Sequence, residues 1–152
     1  MDLTPQQAIE KYKIPLETPP MKPEELEKTP YVLIRHGLSA FNYKALVADT
    51  EFGEGPELEA VRNDPNGEDP ELHAVGIMQC EAAHPVINAT NFKVVFTSPM
   101  QRALMTTIHM FKNHPDKDNI KFIVLPMVRE VLHTTNDIAI DCDELMAKYA
   151  DG

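Results

Sequence analysis

The sequence predicts an α/β fold with a mainly parallel sheet. Three short, nearly continuous apolar runs alternate with stretches of helical periodicity, the pattern of strands joined by helical crossovers. The length of 152 residues allows about one domain with a real core. At 43% hydrophobic and 25% charged, the composition is that of a globular chain.

Taken in chain order, residues 1–30 are rich in Pro and Glu, and one short helix is expected over Pro5–Tyr12. This section reads as an extension that packs on the domain or stays mobile. Tyr31-Val32-Leu33-Ile34-Arg35, opened by Pro30, is the first expected strand and begins a domain running over 31–152. A helix follows over about Ser39–Val47. Residues 49–71 hold nine acidic residues and one base, Arg62, and so contribute −8 of the net charge of −10. Their glycines and prolines make this stretch a predicted solvated loop or acidic insertion. Leu72–Ile87 is a second expected helix, with Leu72, Val75, Ile77/Met78, Ala82 and Val86 roughly on one stripe. Phe92–Thr97 is the second strand, and Pro99–Phe111 the third helix, with Leu104, Ile108 and Phe111 at helical spacing. Lys121–Leu125, stopped by Pro126, is the third strand. Strands this apolar are expected to be covered on both faces by helices.

Charge and segment types exclude several classes of function. A net charge of −10 argues against nucleic acid or anionic membrane surfaces as partners. No run of 18 apolar residues is present to span a membrane. The N-terminus MDLTPQQAIEKYK lacks the apolar core of a secretory signal, and Cys80 and Cys142 form no CxxC motif. A reducing, cytoplasmic setting is the expectation.

In a parallel sheet, sites form at the carboxyl ends of strands. The first strand ends in Arg35-His36-Gly37, followed by Ser39 and Asn42. A His held there can have one ring nitrogen fixed by a carbonyl and the other free to attack. Arg35 offers a planar fork for phosphate oxygens. Gly37 permits close approach of the backbone, while Ser39 and Asn42 lie at a helix start suited to anions. The second strand ends in Ser98-Pro99, with Ser98 the expected N-cap. Arg102 then falls in the first turn of a helix, where a cation opposes the dipole and a bound anion would resolve the conflict. Beyond the third strand, Arg129-Glu130 places a carboxyl group that can serve as a general acid if a dry pocket or a nearby carboxylate raises its pKa.

Four ordered motifs carry a family resemblance. They are Leu33-Ile34-Arg35-His36-Gly37-x-Ser39-x-x-Asn42, Leu72-His73-x-x-Gly76-x-x-Gln79, Ser98-Pro99-x-x-Arg102-Ala103 and Pro126-x-x-Arg129-Glu130. Together the set resembles the histidine phosphatase superfamily, the phosphoglycerate mutase-like enzymes, over about Tyr31 to Asp141. The resemblance implies a three-layer α/β/α sandwich and a small phosphate ester as substrate. It implies that His36 is the nucleophile, forming a phosphohistidine, and that Glu130 is the general acid and base. Arg35 and Arg102 would hold the phosphoryl oxygens, with Asn42, Ser39 and Gly37 as supporting contacts. No metal or other cofactor is implied.

The sequence departs from the family pattern at two points. Leu38 stands where many phosphoglycerate mutases have Glu, which favours a phosphatase-like branch. The second site histidine of the family has no counterpart: His73, His84, His109, His114 and His133 all fit packing roles better, His133 the least so. The expectation is either a fragment, truncated before that segment, or a natural short relative. The alternative function is a catalytically impaired member acting as a binding or structural subunit, contacting a protein partner through residues 1–30 or 49–71.

Overall fold

The computed structural model describes residues 3–16 and 22–149; residues 17–21 of the expected extension and 150–152 at the end of the expected domain lie outside the described residues. Helix α1 (Pro5–Tyr12) opens on a capping box in which the Thr4 hydroxyl accepts from Gln7 N–H and the Gln7 side chain accepts from Thr4 N–H. It is followed by α2 (Pro23–Leu26), α3 (Ala40–Phe52), α4 (Pro56–Arg62), α5 (Ala74–Ala82) and α6 (His84–Ile87). Then come β1 (Val94–Thr97), α7 (Gln101–Phe111), β2 (Lys121–Val124) and α8 (Cys142–Tyr149).

Strands β1 and β2 are parallel, in the register Val94–Lys121 to Thr97–Val124, joined by α7 as a crossover. Among the described residues these two strands form the whole sheet. The fold is therefore mixed α/β with a small parallel sheet, and the expected larger sandwich is not formed by the described residues. The difference lies in Tyr31–Arg35, which carries no regular structure. None of its backbone groups bonds to another segment among the described residues. A strand needs a neighbouring edge, and here a cleft of about 950 Å³, walled by Val32, Ile34, Val94, Phe96 and Thr106, separates this run from β1. Leu33 is 89% exposed as a result.

The acidic stretch is also not the solvated loop its composition suggests. Residues 49–52 complete α3, which ends at Gly53 with φ of 75°, and 56–62 form α4. Pro56 starts this helix at a position where its missing N–H costs nothing, and Glu57 and Glu59 in the first turn complement the dipole. Ala48 and Leu58 are buried in the α3–α4 pair. Farther on, the single helix expected over Leu72–Ile87 is broken into α5 and α6 around Ala83, just before Pro85.

Two clusters hold the molecule together. Leu72, Cys80, Ile87, Met110, Phe111 and Ile120 unite α5, α6 and α7, with Phe92 edge-on to Phe111 at 5.2 Å. Ala8, Ile14 and Val75 pack α1 against α5, with Tyr12, Tyr43 and Leu46 around them. Burial in the first cluster pushes the Cys80 thiol up to about 11, so it behaves as a small apolar side chain; Cys142 is exposed, and both cysteines are free. His84 and His114 bond the carbonyls of His109 and Thr90. Among the described residues no helix is long and apolar enough to cross a membrane.

Candidate active site

The segment between Arg35 and Ser39 is fixed from three sides. Gly37 N–H donates to Thr106 Oγ1 on α7 at 3.0 Å, and Leu38 N–H donates to Gln79 Oε1 on α5 at 2.9 Å. An isolated antiparallel bridge pairs Ser39 with Leu72, closed by Ala40 N–H to the Glu71 carbonyl and His73 N–H to the Leu38 carbonyl, both 2.9 Å. The contact is close because both facing residues are glycines. A Cβ on Gly37 would lie 2.8 Å from the Gly76 carbonyl oxygen, and one on Gly76 would lie 2.3 Å from that of Leu38. His73 caps α5, its Nδ1 accepting from Val75 N–H at 3.2 Å, and stacks on Tyr43 with ring centroids 4.0 Å apart.

On this anchored turn, His36 Nδ1 lies 2.7 Å from the Gly37 carbonyl oxygen. A carbonyl only accepts, so the proton is on Nδ1, and in the neutral ring the Nε2 lone pair is free. Burial holds the imidazole below its ordinary value, with the charges of Arg102 and Arg35 acting in the same direction. The Gly37 bond and Glu130 oppose this but do not reverse it. The result is an uncharged nucleophilic nitrogen near neutral pH.

Arg35, His36, Asn42, Arg102 and Glu130 meet in the wall of one cavity of about 450 Å³. The other expected contacts do not reach it. Ser39 is buried with its Oγ accepting from Asn42 N–H at 3.1 Å, so it caps α3 and is not available as a phosphate ligand. Gly37 spends its N–H on Thr106 and its carbonyl on His36. Ser98 is not the N-cap of α7 either. That helix begins at Gln101, whose N–H donates to Asp69 Oδ1 at 2.8 Å.

Arg102 is held by internal partners. It is 4% exposed, and its Nη2 pairs with Asp137 Oδ1 at 3.0 Å while Nη1 donates to the Asn136 carbonyl at 2.8 Å. Two carboxylates of the chain itself, Asp69 at the helix start and Asp137 on the guanidinium, thus meet the electrostatic conflict expected there. Asp137 also accepts from His133 N–H and Thr134 N–H through Oδ2, and its carbonyl accepts from Arg129 Nη2 at 2.9 Å. The loop after Glu130 is thereby tied to α7.

Three charged or titratable residues that line the cavity lie outside the set expected from the strand ends: Arg62, His133 and Asp137. Arg62 left a signal, being the lone base of an acidic run and one of four arginines in the chain. Asp137 left none, since its partner is 35 residues away. Among the described residues, no group of three or more His, Cys, Asp or Glu side chains is placed to hold a metal ion.

Comparison with known proteins gives one family. The model of the histidine phosphatase superfamily (branch 1) matches residues 31–134, more than half of the chain. No curated protein matches it significantly.

Proposed function

The chain belongs to the histidine phosphatase superfamily, and we propose that it transfers the phosphoryl group of a small phosphate monoester through a phosphohistidine at His36. The observation that carries this reading is the 2.7 Å contact of His36 Nδ1 with the Gly37 carbonyl, which leaves Nε2 unprotonated in a cavity shared with Arg35, Arg102 and Glu130.

The chemistry runs in two displacements. His36 Nε2 attacks phosphorus, the bond to the ester oxygen breaks, and the Glu130 carboxylic acid gives its proton to the departing oxygen. Water then attacks the phosphohistidine, Glu130 takes a proton from it, and inorganic phosphate leaves with His36 neutral again. Arg35 and Arg102 stabilise the charge on the equatorial oxygens in both transition states. Asn42 contributes a further hydrogen bond from the start of α3. Transfer to a second alcohol in place of water would make the same site a mutase; Leu38 after the Arg-His-Gly turn favours hydrolysis.

Hydrolysis of p-nitrophenyl phosphate by the wild type and by His36→Ala tests the reading. Turnover should fall at least about a thousandfold in the variant. The wild type should also yield a phosphoryl label on protein that survives alkali and is released by acid. Turnover independent of His36, or none together with no labelled protein, overturns it.

A further inference from the structure

One side chain joins the N-terminal segment to the turn that carries His36. Helix α1 ends at Lys13, whose φ of 51° reverses the chain, and Ile14 N–H closes the turn on the Ile9 carbonyl at 3.1 Å. Ile14 is thereby buried against Val75 of α5. The Pro15 carbonyl then accepts from Gln79 Nε2 at 2.8 Å, one turn beyond Val75 on the same helix. The other end of that amide, Oε1, accepts from Leu38 N–H at 2.9 Å. The two bonds orient each other. A carbonyl can only accept and a backbone N–H can only donate, so only one setting of the Gln79 amide satisfies both. A second contact runs alongside, because the Leu38 side chain packs on the Ala8, Ile14 and Val75 cluster, as Leu16 does.

The N–H that Gln79 holds belongs to the peptide unit whose carbonyl faces His36. Leu38 N–H and the Gly37 carbonyl are the two ends of one planar trans group, so fixing the first aims the second. That carbonyl lies 2.7 Å from His36 Nδ1 and keeps the proton on it. A continuous chain of bonds therefore runs from Pro15 through Gln79 and the Gly37–Leu38 peptide to the imidazole, and its last link decides which ring nitrogen has the lone pair.

Resting on the reading above, we propose that Gln79 is a positioning residue that sets the tautomer of His36, and that residues 4–16 hold Gln79 in the orientation this requires. The N-terminal segment is then a working part of the site, although it lines no wall of the cavity. Without the Gln79 bond the Gly37–Leu38 peptide is free to rotate and its carbonyl leaves Nδ1. In part of the molecules the proton then sits on Nε2, which cannot attack phosphorus. The arginines and Glu130 are untouched by this change, so the loss falls on the chemical step and not on binding.

The test reads the tautomer from the ring nitrogen NMR signals of His36 at pH 8, which needs no turnover, and sets it beside kinetics on p-nitrophenyl phosphate. The wild type should show Nδ1 protonated and Nε2 bare. Gln79→Leu should shift a measurable share of the protonation to Nε2 and lower kcat about tenfold, with KM changed about twofold at most. Gln79→Glu still accepts from Leu38 N–H but turns an oxygen on the Pro15 carbonyl, and should move both readouts the same way, with kcat down about threefold. Ile14→Ala loosens the segment without altering Gln79 and should do likewise. Lys11→Met removes only the exposed pair with Glu51 and should leave both readouts at wild-type values. A wild-type ring protonated on Nε2, or an unchanged tautomer in Gln79→Leu, overturns the positioning role. Unchanged tautomers in both Gln79→Glu and Ile14→Ala overturn the part assigned to residues 4–16, and these two variants carry the test if Gln79→Leu does not fold. The His36→Ala and labelling results decide the phosphohistidine reading separately, so either can fail while the other stands.

Discussion

Arg102 and Asp137 form a buried ion pair at 3.0 Å, with both side chains about 5% exposed, across a separation of 35 residues. The carboxylate does more than neutralise the guanidinium. Its second oxygen takes the N–H groups of His133 and Thr134, and the backbone carbonyl of the same residue takes Arg129, so one residue aligns α7 with the loop that carries Glu130. Asp137→Ala strands a buried cation and two backbone donors, and should cost about 3–5 kcal/mol in urea-unfolding stability. Asp137→Asn keeps one acceptor but turns its amide nitrogen toward a donor, for a smaller loss of about 1–3 kcal/mol. A midpoint within error of the wild type in both variants would show that the pair is not formed in solution.

The His36 imidazole is held below its ordinary value of 6.5 first by burial, then by Arg102 and Arg35. A depressed base is more costly to protonate in the folded than in the unfolded chain. Its contribution to stability is therefore lost as pH falls from the ordinary value through the folded one. In the proposed reaction the neutral ring is the reactive form, so the acid limb of kcat/KM should have its midpoint below 6.5. Arg35→Gln removes one of the lowering charges and should move that midpoint upward while reducing the plateau. Titration of the imidazole proton signals by NMR gives the same midpoint without turnover. A midpoint at or above the ordinary value contradicts the buried, arginine-flanked geometry.

Local pattern made parts of this molecule legible. The capped run Pro5–Tyr12 and the apolar spacing of Leu104, Ile108 and Phe111 are signals contained within single helices, and helices form there. The apolar runs expected as strands over Phe92–Thr97 and Lys121–Leu125 contain the parallel pair for the same reason. Tyr31–Arg35 is as apolar as either, but a strand is a property of two edges, and no local signal reports whether the second is present. Proline misled in the acidic stretch because it reads as a breaker, whereas at Pro56 it begins a helix. In the site, residues at the junctions of strand and helix were legible by position, and Arg35, His36, Asn42, Arg102 and Glu130 do share a cavity. Ser39 was legible only as a polar group at a helix start, and that describes a cap as well as a ligand. Arg62 and Asp137 reach the cavity through tertiary packing, which spacing does not encode.

Gly76 supports the turn that carries His36 without touching the imidazole. A methyl group there would sit 2.3 Å from the Leu38 carbonyl oxygen and 2.8 Å from its nitrogen, two residues after His36. Backbone cannot rotate away as a side-chain tip can, so the Arg35–Ser39 turn must retreat by about 1 Å, a displacement of reacting groups that costs on the order of a hundredfold in rate. Gly76→Ala should therefore cut kcat far more than the helix propensity of Ala restores stability, with overpacking costing about 1–3 kcal/mol. Gly55→Ala is the matched control: φ there is 178°, and the nearest atom to a new Cβ is a flexible Glu57 oxygen at 3.6 Å. That variant should keep wild-type kcat. Equal behaviour of the two variants would remove the close approach of Gly37 and Gly76 as the reason for the geometry of the turn.

Asp69 shows that the acidic stretch contains a structural carboxylate as well as surface charge. It is fully buried at a φ of 36°, and burial raises its pKa above the ordinary carboxylate value. Its oxygens accept from Gln101 N–H at 2.8 Å and Ile140 N–H at 3.3 Å, and its carbonyl accepts from the Gln101 side chain at 2.5 Å. Lys148 and Tyr149 of α8 then bond the Gln101 Oε1, so the start of α7 and the last helix are closed over this one residue. Asp69→Ala leaves one buried donor, Gln101 N–H, and one half-buried donor, Ile140 N–H, without their acceptor, at a cost of about 2–4 kcal/mol. Because α7 carries Arg102 one residue beyond Gln101, the same variant should also weaken phosphate binding. Asp64→Ala, in the same stretch, removes a carboxylate whose bonds are to Asn66 two residues away, and should lose less than about 1 kcal/mol. Comparable unfolding midpoints for the two variants would mean that the charge of the stretch, and not the cap on α7, is what residue 69 contributes.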